Sequence, residues 1–195
     1  MKNAICLCIA LLGIKVSHGQ QIIFDMSAFG IKFGKLVVSK SQENDSTTLY
    51  TMNAKGYLKV LWMERNDETT YEVRYQNGML QSSKFRQIES GKLKKWSDIV
   101  FDGSQYQINS YKGKKVFREK QYFSVMKLYF EHHKKLNKAF YEAEGDFATL
   151  THKDDNSTEV KSSDGNRSIF FYQNGNVQAV EVFTAIANVH MKRTN

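Results

Sequence analysis

Glu142, Glu144 and Asp146 are separated by one residue each, the spacing that places three carboxyl groups on one face of a β-strand. Enclosed together, such a row would hold some of its protons to higher pH and offer a general acid beside a base. Exposed, the same row only solubilises its strand. A second group of chemistry-bearing residues is His132-His133 with His152, Asp154 and Asp155. Adjacent histidines point in different directions on a helix or a strand, so they form a poor chelate by themselves. Asp154-Asp155-Asn156 lacks the spacing and the closing glutamate of a calcium loop. No metal site and no cofactor is expected.

Nucleophilic chemistry finds no foothold. The only cysteines are Cys6 and Cys8, no Gly-x-Ser-x-Gly elbow occurs, and no glycine-rich phosphate loop follows a strand. No catalytic residue is assigned. Lysines around Lys92, Lys94, Lys95 and Trp96, with Tyr111, Lys112, Lys114 and Lys115, interleave charge with aromatic rings as a nucleic-acid groove does. They flank glycines, as solubilising residues do at hairpin tips. No nucleic-acid partner is expected, and anionic headgroups or polysaccharide suit this tract better. Three sequons, at Asn44, Asn156 and Asn166, all fall in polar, turn-like stretches.

These side chains must be positioned by a chain of 195 residues whose beginning differs from the rest. Lys2, the apolar run Ala4 to Ile14 and Ser17-His18-Gly19 have the order of a signal peptide, so residues 1–19 are expected to be removed and 20–195 to form one β-rich domain. The run is too short to span a bilayer, and no transmembrane segment is expected. Cleavage would leave a chain without cysteine or proline, unable to form disulfides, with a formal charge of +6 (26 basic against 20 acidic residues). A periplasmic location follows most directly, with an extracellular or peripherally surface-associated one as the alternatives.

Strand periodicity dominates residues 20–195. Tyr71, Val73 and Tyr75 alternate with Glu72, Arg74 and Gln76, and Asn77-Gly78 supplies a two-residue hairpin turn. Ile169 to Tyr172, Asn174-Gly175 and Val177 to Phe183 repeat the pattern. Further strands are expected at Ile22 to Phe29, Leu36 to Ser41, Thr47 to Met52, Tyr57 to Met63, Ser83 to Ile88, Asp98 to Phe101, Tyr106 to Ser110, Lys115 to Arg118, Phe147 to Thr151 and Thr158 to Ser162. Glycines 30, 34, 56, 91, 103, 113 and 165 separate them.

The expected fold is therefore all-β: an antiparallel meander forming a strongly curved sheet or a partly closed barrel, since a long flat sheet would expose edges and a bare face. Ser124 starts a short helix to about His133, near residues 124–134, serving as a plug or lid; a strand over Tyr122 to Phe130 is the alternative. Twenty-five aromatic residues, all after residue 19, can line a cavity inside such a sheet. Phe24, Trp62, Tyr71, Tyr75, Tyr106 and Phe171 are the candidate lining.

The chain also resembles an uncharacterised family of exported all-β proteins, a domain of unknown function found mainly in Bacteroidota and distantly similar to other periplasmic β-proteins. The likeness is carried by Ile23-Phe24-Asp25-Met26-Ser27-Ala28-Phe29-Gly30 with Leu36-Val37-Val38, by Tyr71-Glu72-Val73-Arg74-Tyr75, by Tyr122-Phe123-Ser124-Val125-Met126-Lys127-Leu128-Tyr129-Phe130, and by Phe170-Phe171-Tyr172-Gln173-Asn174-Gly175. It implies a periplasmic or surface-exposed domain of the kind that handles lipid or lipoprotein cargo, and it brings no catalytic residue. Three roles stay open: an exported non-catalytic module binding a lipid, glycan or envelope protein; a structural or assembly factor of the envelope with a filled core; and an enzyme of unrecognised type.

Overall fold

The computed structural model describes residues 19–60, 63–184 and 187–195. Residues 1–18 of the expected signal peptide, and Trp62, lie outside them. The described residues form fourteen strands: β1 Gln20–Ala28, β2 Ile31–Asn44, β3 Thr47–Val60, β4 Met63–Gln76, β5 Met79–Glu89, β6 Lys92–Phe101, β7 Tyr106–Ser110, β8 Gly113–Phe117, β9 Lys138–Tyr141, β10 Asp146–His152, β11 Ser157–Lys161, β12 Arg167–Gln173, β13 Asn176–Phe183 and β14 Asn188–Arg193. All lie in one sheet, in the order β8-β7-β6-β5-β4-β3-β2-β1-β14-β13-β12-β11-β10-β9. Two meanders thus run outward from the central pair β1 and β14, where the C-terminal strand pairs antiparallel with the first (Phe24 opposite Arg193, Met26 opposite Met191).

The all-antiparallel character agrees with the sequence; the expected closure does not. The sheet is an open ladder with two free edges, β8 and β9, and is neither a partly closed barrel nor strongly curled. Closure needs backbone pairing between the end strands, and no ladder joins β8 to β9 among the described residues. The edges carry charge instead: Lys114 and Lys115 on β8 and Lys138 on β9 are exposed, which discourages strand addition. No proline interrupts any ladder.

Local chemistry accounts for the hairpins. Asn77 and Gly78 (φ 50° and 77°) and Asn174 and Gly175 (φ 51° and 77°) all take the left-handed conformation that a two-residue turn between twisted strands requires. Gly34 and Gly56 behave differently from expectation. They are not separators but face each other inside β2 and β3, so the two strands expected around Gly56 are one. A Cβ on Gly34 would collide with the Lys55 carbonyl oxygen and lie 2.7 Å from Gly56 Cα and the Met26 methyl; one on Gly56 would lie 2.6 Å from the Phe33 ring. Gly34→Ala is expected to cost about 3 kcal/mol because backbone must move. Gly30→Ala, at a turn with φ 75° and open space around it, should cost only about 1 kcal/mol. Urea unfolding of the two variants measures the difference; equal costs would contradict the close approach.

The connection from β8 to β9 travels from one end of the sheet to the other, and this passage covers the inner face. On it lies a 3-10 helix, Val125–Tyr129, with Met126, Lys127, Leu128 and Tyr129 buried. The helix is one short turn rather than the expected run to His133. Ser124 occupies the N-cap position but makes no capping bond with its side chain. Its hydroxyl accepts a hydrogen bond from Tyr75 Oη at 2.6 Å and donates to Glu142, so interior contacts take the group that would have capped a longer helix. Tyr172 Oη donates to the Leu128 carbonyl at 2.9 Å, and Tyr106 Oη donates to the Leu80 carbonyl at 2.9 Å while accepting from Gln121 N–H at 3.1 Å. The crossing segment is thereby tied to β4, β5, β7 and β12.

Candidate functional site

Beneath the crossing segment the inner face divides into a packed part and an open part. Phe24, Val73, Tyr75, Leu80, Ile99, Tyr106, Leu128 and Phe140 are almost wholly buried and fill the first. Tyr50 stands edge-on to Tyr75 at 5.6 Å, and Phe24 edge-on to Tyr129 at 5.9 Å, the geometry that puts a positive ring edge on a negative face. The second part is a cavity of about 720 Å³. Leu36, Met52, Val125, Phe170, Val180 and Met191 supply its apolar wall. Polar side chains, among them Gln87, Lys95, Tyr111, Glu144, Asp164 and Arg167, supply the rest of the lining.

Strand parity explains who lines it. On β4, Tyr71, Val73 and Tyr75 share the inner face, as their alternation predicts. Tyr71 borders the cavity, while Val73 and Tyr75 continue into the packed part. Phe24 and Tyr106 also belong to the packed part rather than to the cavity wall. Phe171 is only half-buried and does not line the cavity; its neighbour Phe170, 2 % exposed, does. A shift of one residue moves a side chain to the opposite face: Phe170 and Tyr172 share the buried parity of β12, and the extra residue at its register shift, Gln178, lies on β13. Of the six candidates, the structure places Tyr71 in the cavity wall.

The residues that give the cavity chemical character are Tyr71, Tyr129, Tyr141 and Glu142. Tyr71 donates a hydrogen bond to Tyr141, and burial pushes both hydroxyls well above the ordinary tyrosine range. They stay neutral donors and acceptors at any physiological pH. Glu142 is 1 % exposed. Burial pushes its carboxyl up to about 7, against the opposing effects of hydrogen bonds from Ser124 and the Met126 N–H (3.3 Å) and of the Lys127 charge. Lys127 is itself buried; its Nζ donates to the Tyr122 carbonyl at 2.8 Å and sits 3.9 Å from the Tyr75 ring centroid. A further polar atom, Ser162 Oγ, lies in a wall residue that is 6 % exposed and has no hydrogen-bond partner among the described residues.

The three carboxyl groups at 142, 144 and 146 do not form a row. Residues 142–145 make a turn between β9 and β10, with the Glu144 and Gly145 N–H groups both donating to the Tyr141 carbonyl at 3.1 Å and 2.9 Å. A turn removes the two-residue repeat, so each carboxyl finds its own surroundings. Glu142 points inward. Glu144 accepts from Ser163 Oγ at 2.8 Å and Asn166 Nδ2 at 3.0 Å and lies 3.4 Å from Lys112 Nζ, locking this turn to two loops. Asp146 is exposed and pairs with Lys115 at 3.3 Å. Glu142 and Glu144 are both buried and both border the cavity, with different hydrogen-bond partners, while Asp146 lies apart. Among the described residues no cluster of three metal-ligating side chains occurs, and no helix is long and apolar enough to cross a membrane.

Tyr129, Tyr141, Glu142 and Phe170 were not singled out as lining by sequence. Phe170 was within reach, since it is the other parity of an expected strand. Tyr129, Tyr141 and Glu142 were not, because only the crossing segment and the 142–145 turn bring them onto the cavity.

Fold and site define a class: single-sheet, all-antiparallel β domains whose inner face is roofed by a crossing segment over a mostly apolar cavity with a buried carboxyl. Within that class the chain belongs to the family described as a domain of unknown function, DUF6134, whose model matches residues 24–194. No curated protein and no solved structure matches it.

Proposed function

We propose that this domain is a non-catalytic binding module for an amphipathic small molecule, lipid-like in having one apolar and one polar end. The observation that carries this reading is the cavity of about 720 Å³, well within the range of small-molecule sites, whose lining joins an apolar stretch to polar and charged side chains. The apolar part of the ligand would lie against Met52, Val125, Phe170 and Met191. Its polar group would reach the Tyr71, Tyr141 and Glu142 hydrogen-bonding groups or the charged side chains of the lining. An apolar wall favours a lipid over a glycan, whose hydroxyls would be left without partners there. Residues 1–19 support export of the protein, and a ligand of this type is available in a cell envelope.

Native mass spectrometry of protein purified from its own envelope, with extraction of what co-purifies, tests the reading. The wild type should carry an apolar molecule at about one per chain. Ala54, on the cavity wall, is the place to close it: Ala54→Trp should remain folded by circular dichroism and lose the co-purifying mass. Empty wild-type protein that also takes up no long-chain fatty acid or lysophospholipid from solution would refute the proposal.

A further inference from the structure

Outside the interior cavity, a cleft of about 600 Å³ lies where the chain following the 3-10 helix passes the turn at Asn156 and the hairpin tip Asn174–Gly175. The chargeable side chains around it that face solvent are all basic: His132, His133, Lys134 and Lys135. Lys134 and Lys135 are exposed, and Lys134 Nζ is held toward the cleft by Asn156 Oδ1 at 2.8 Å, leaving it two further donors. Two carboxylates stand beside these residues, and one of them already pairs with His133 of the cleft. Glu131 pairs with His133 at 2.8 Å and Lys40 at 3.4 Å, and Asp155 accepts from the Ser157 N–H at 3.0 Å.

His132 is the best-positioned group. Its ring lies flat on the buried Tyr172 ring, with centroids 3.9 Å apart and planes 3° from parallel. Its Nε2 is 3.2 Å from Thr158 Oγ1, which is 2.9 Å from His152 Nδ1, while His152 Nε2 is 2.6 Å from the Leu136 carbonyl. The carbonyl only accepts, so His152 Nε2 carries hydrogen; with His152 neutral, its Nδ1 accepts from the Thr158 hydroxyl, and that oxygen then accepts from His132 Nε2–H. The chain of bonds leaves His132 Nδ1 as the ring nitrogen without a partner among the described residues. Burial depresses the His132 pKa, as do Lys134, His152 and His133.

We propose that this cleft is a second binding site, taking a phosphate-type dianionic oxyanion on Lys134, Lys135 and His132, with His132 taking up a proton at Nδ1 as the anion binds. An oxyanion supplies a negative partner for Lys134, Lys135 and His132, and a protonated Nδ1 adds a directed, charge-assisted bond without disturbing the Thr158 relay. The site is independent of the interior cavity, so Ala54→Trp leaves it intact.

Sulfate is the probe for the proton, because it stays a dianion from pH 5.5 to 8. Titrated at constant ionic strength and followed by the His132 and Asn156 NMR resonances, it should bind saturably and about tenfold more tightly at pH 5.5 than at pH 8. His132→Gln should remove that pH dependence, separating His132 from His133, His152 and Glu131 nearby. Lys134→Gln with Lys135→Gln should weaken binding at least about tenfold, whereas Lys92→Gln with Lys94→Gln, an equal loss of charge elsewhere, should not. Two further probes separate the sources of the anion. Saturable binding of inorganic phosphate supports a free phosphate ligand; binding only to phosphatidic acid in phosphatidylcholine vesicles, lost in the 134/135 double variant, supports a lipid headgroup. Absence of saturation by all three probes, or equal losses in both double variants, overturns the site.

Discussion

Glu142→Gln is expected to make the protein more stable than wild type above neutral pH, reversing the usual penalty for changing a buried residue. The Glu142 carboxyl titrates at about 7 in the folded protein, raised from 4.5 chiefly by burial. Between those values the native state holds a proton that the unfolded chain has released, so stability falls as pH rises through this interval. The contribution is complete below pH 4.5 and is lost above 7; it amounts to about 3 kcal/mol. Glutamine keeps an acceptor for the Met126 N–H and cannot ionise. Urea unfolding at pH 5, 7 and 8.5 should show a flatter profile for the variant, with the curves crossing near pH 6 to 7. His132, whose depressed pKa gives the opposite slope, is common to both proteins and cancels in the difference. Parallel curves would mean that the carboxyl is not buried as described.

Phe140→Ala is expected to be the most damaging single truncation, at about 3–5 kcal/mol. Phe140 is fully buried, stacked with Tyr106 at 6.2 Å and near Phe117 at 6.1 Å and Phe147 at 6.2 Å. Those four rings join β7 and β8 to β9 and β10, strands at opposite ends of the ladder with no ladder between them. Side-chain packing therefore does here what backbone bonds do elsewhere in the sheet. Beyond the lower midpoint in urea, amide exchange should accelerate selectively in residues 106–117 and 138–152. Phe171→Ala, at a half-buried position away from the cavity, is the comparison and should cost less than half as much. An equal cost, or exchange accelerating uniformly, would show that the aromatic seam does not hold the two ends.

Much of the ladder was legible in the chain because strand alternation and two-residue turns are local. Tyr71-Val73-Tyr75 and the turns at Asn77-Gly78 and Asn174-Gly175 lie where periodicity and left-handed backbone preferences put them. Gly34 and Gly56 misled, since a glycine needed for close approach of two strands looks the same in sequence as one needed for a turn. β14 was not expected. Val189 and Met191 alternate with His190 and Lys192, but in a short polar stretch, and what makes it a strand is β1 on one side and β13 on the other. Such pairing between chain ends has no local signature. The carboxyl row was legible only as spacing, and the turn at 142–145 separated its members.

By itself, then, the sequence determined the antiparallel strand character, the hairpin turns and the inward parity of β4, because each depends on neighbours a few residues apart. Tertiary structure alone decided that the sheet stays open, that the β8 to β9 crossing roofs a cavity, that Ser124 serves Tyr75 and Glu142 rather than a longer helix, and that Glu142 and Glu144, both buried at the cavity, take different partners. All of these depend on contacts between residues far apart in the chain, where burial and hydrogen-bond competition outweigh local preference.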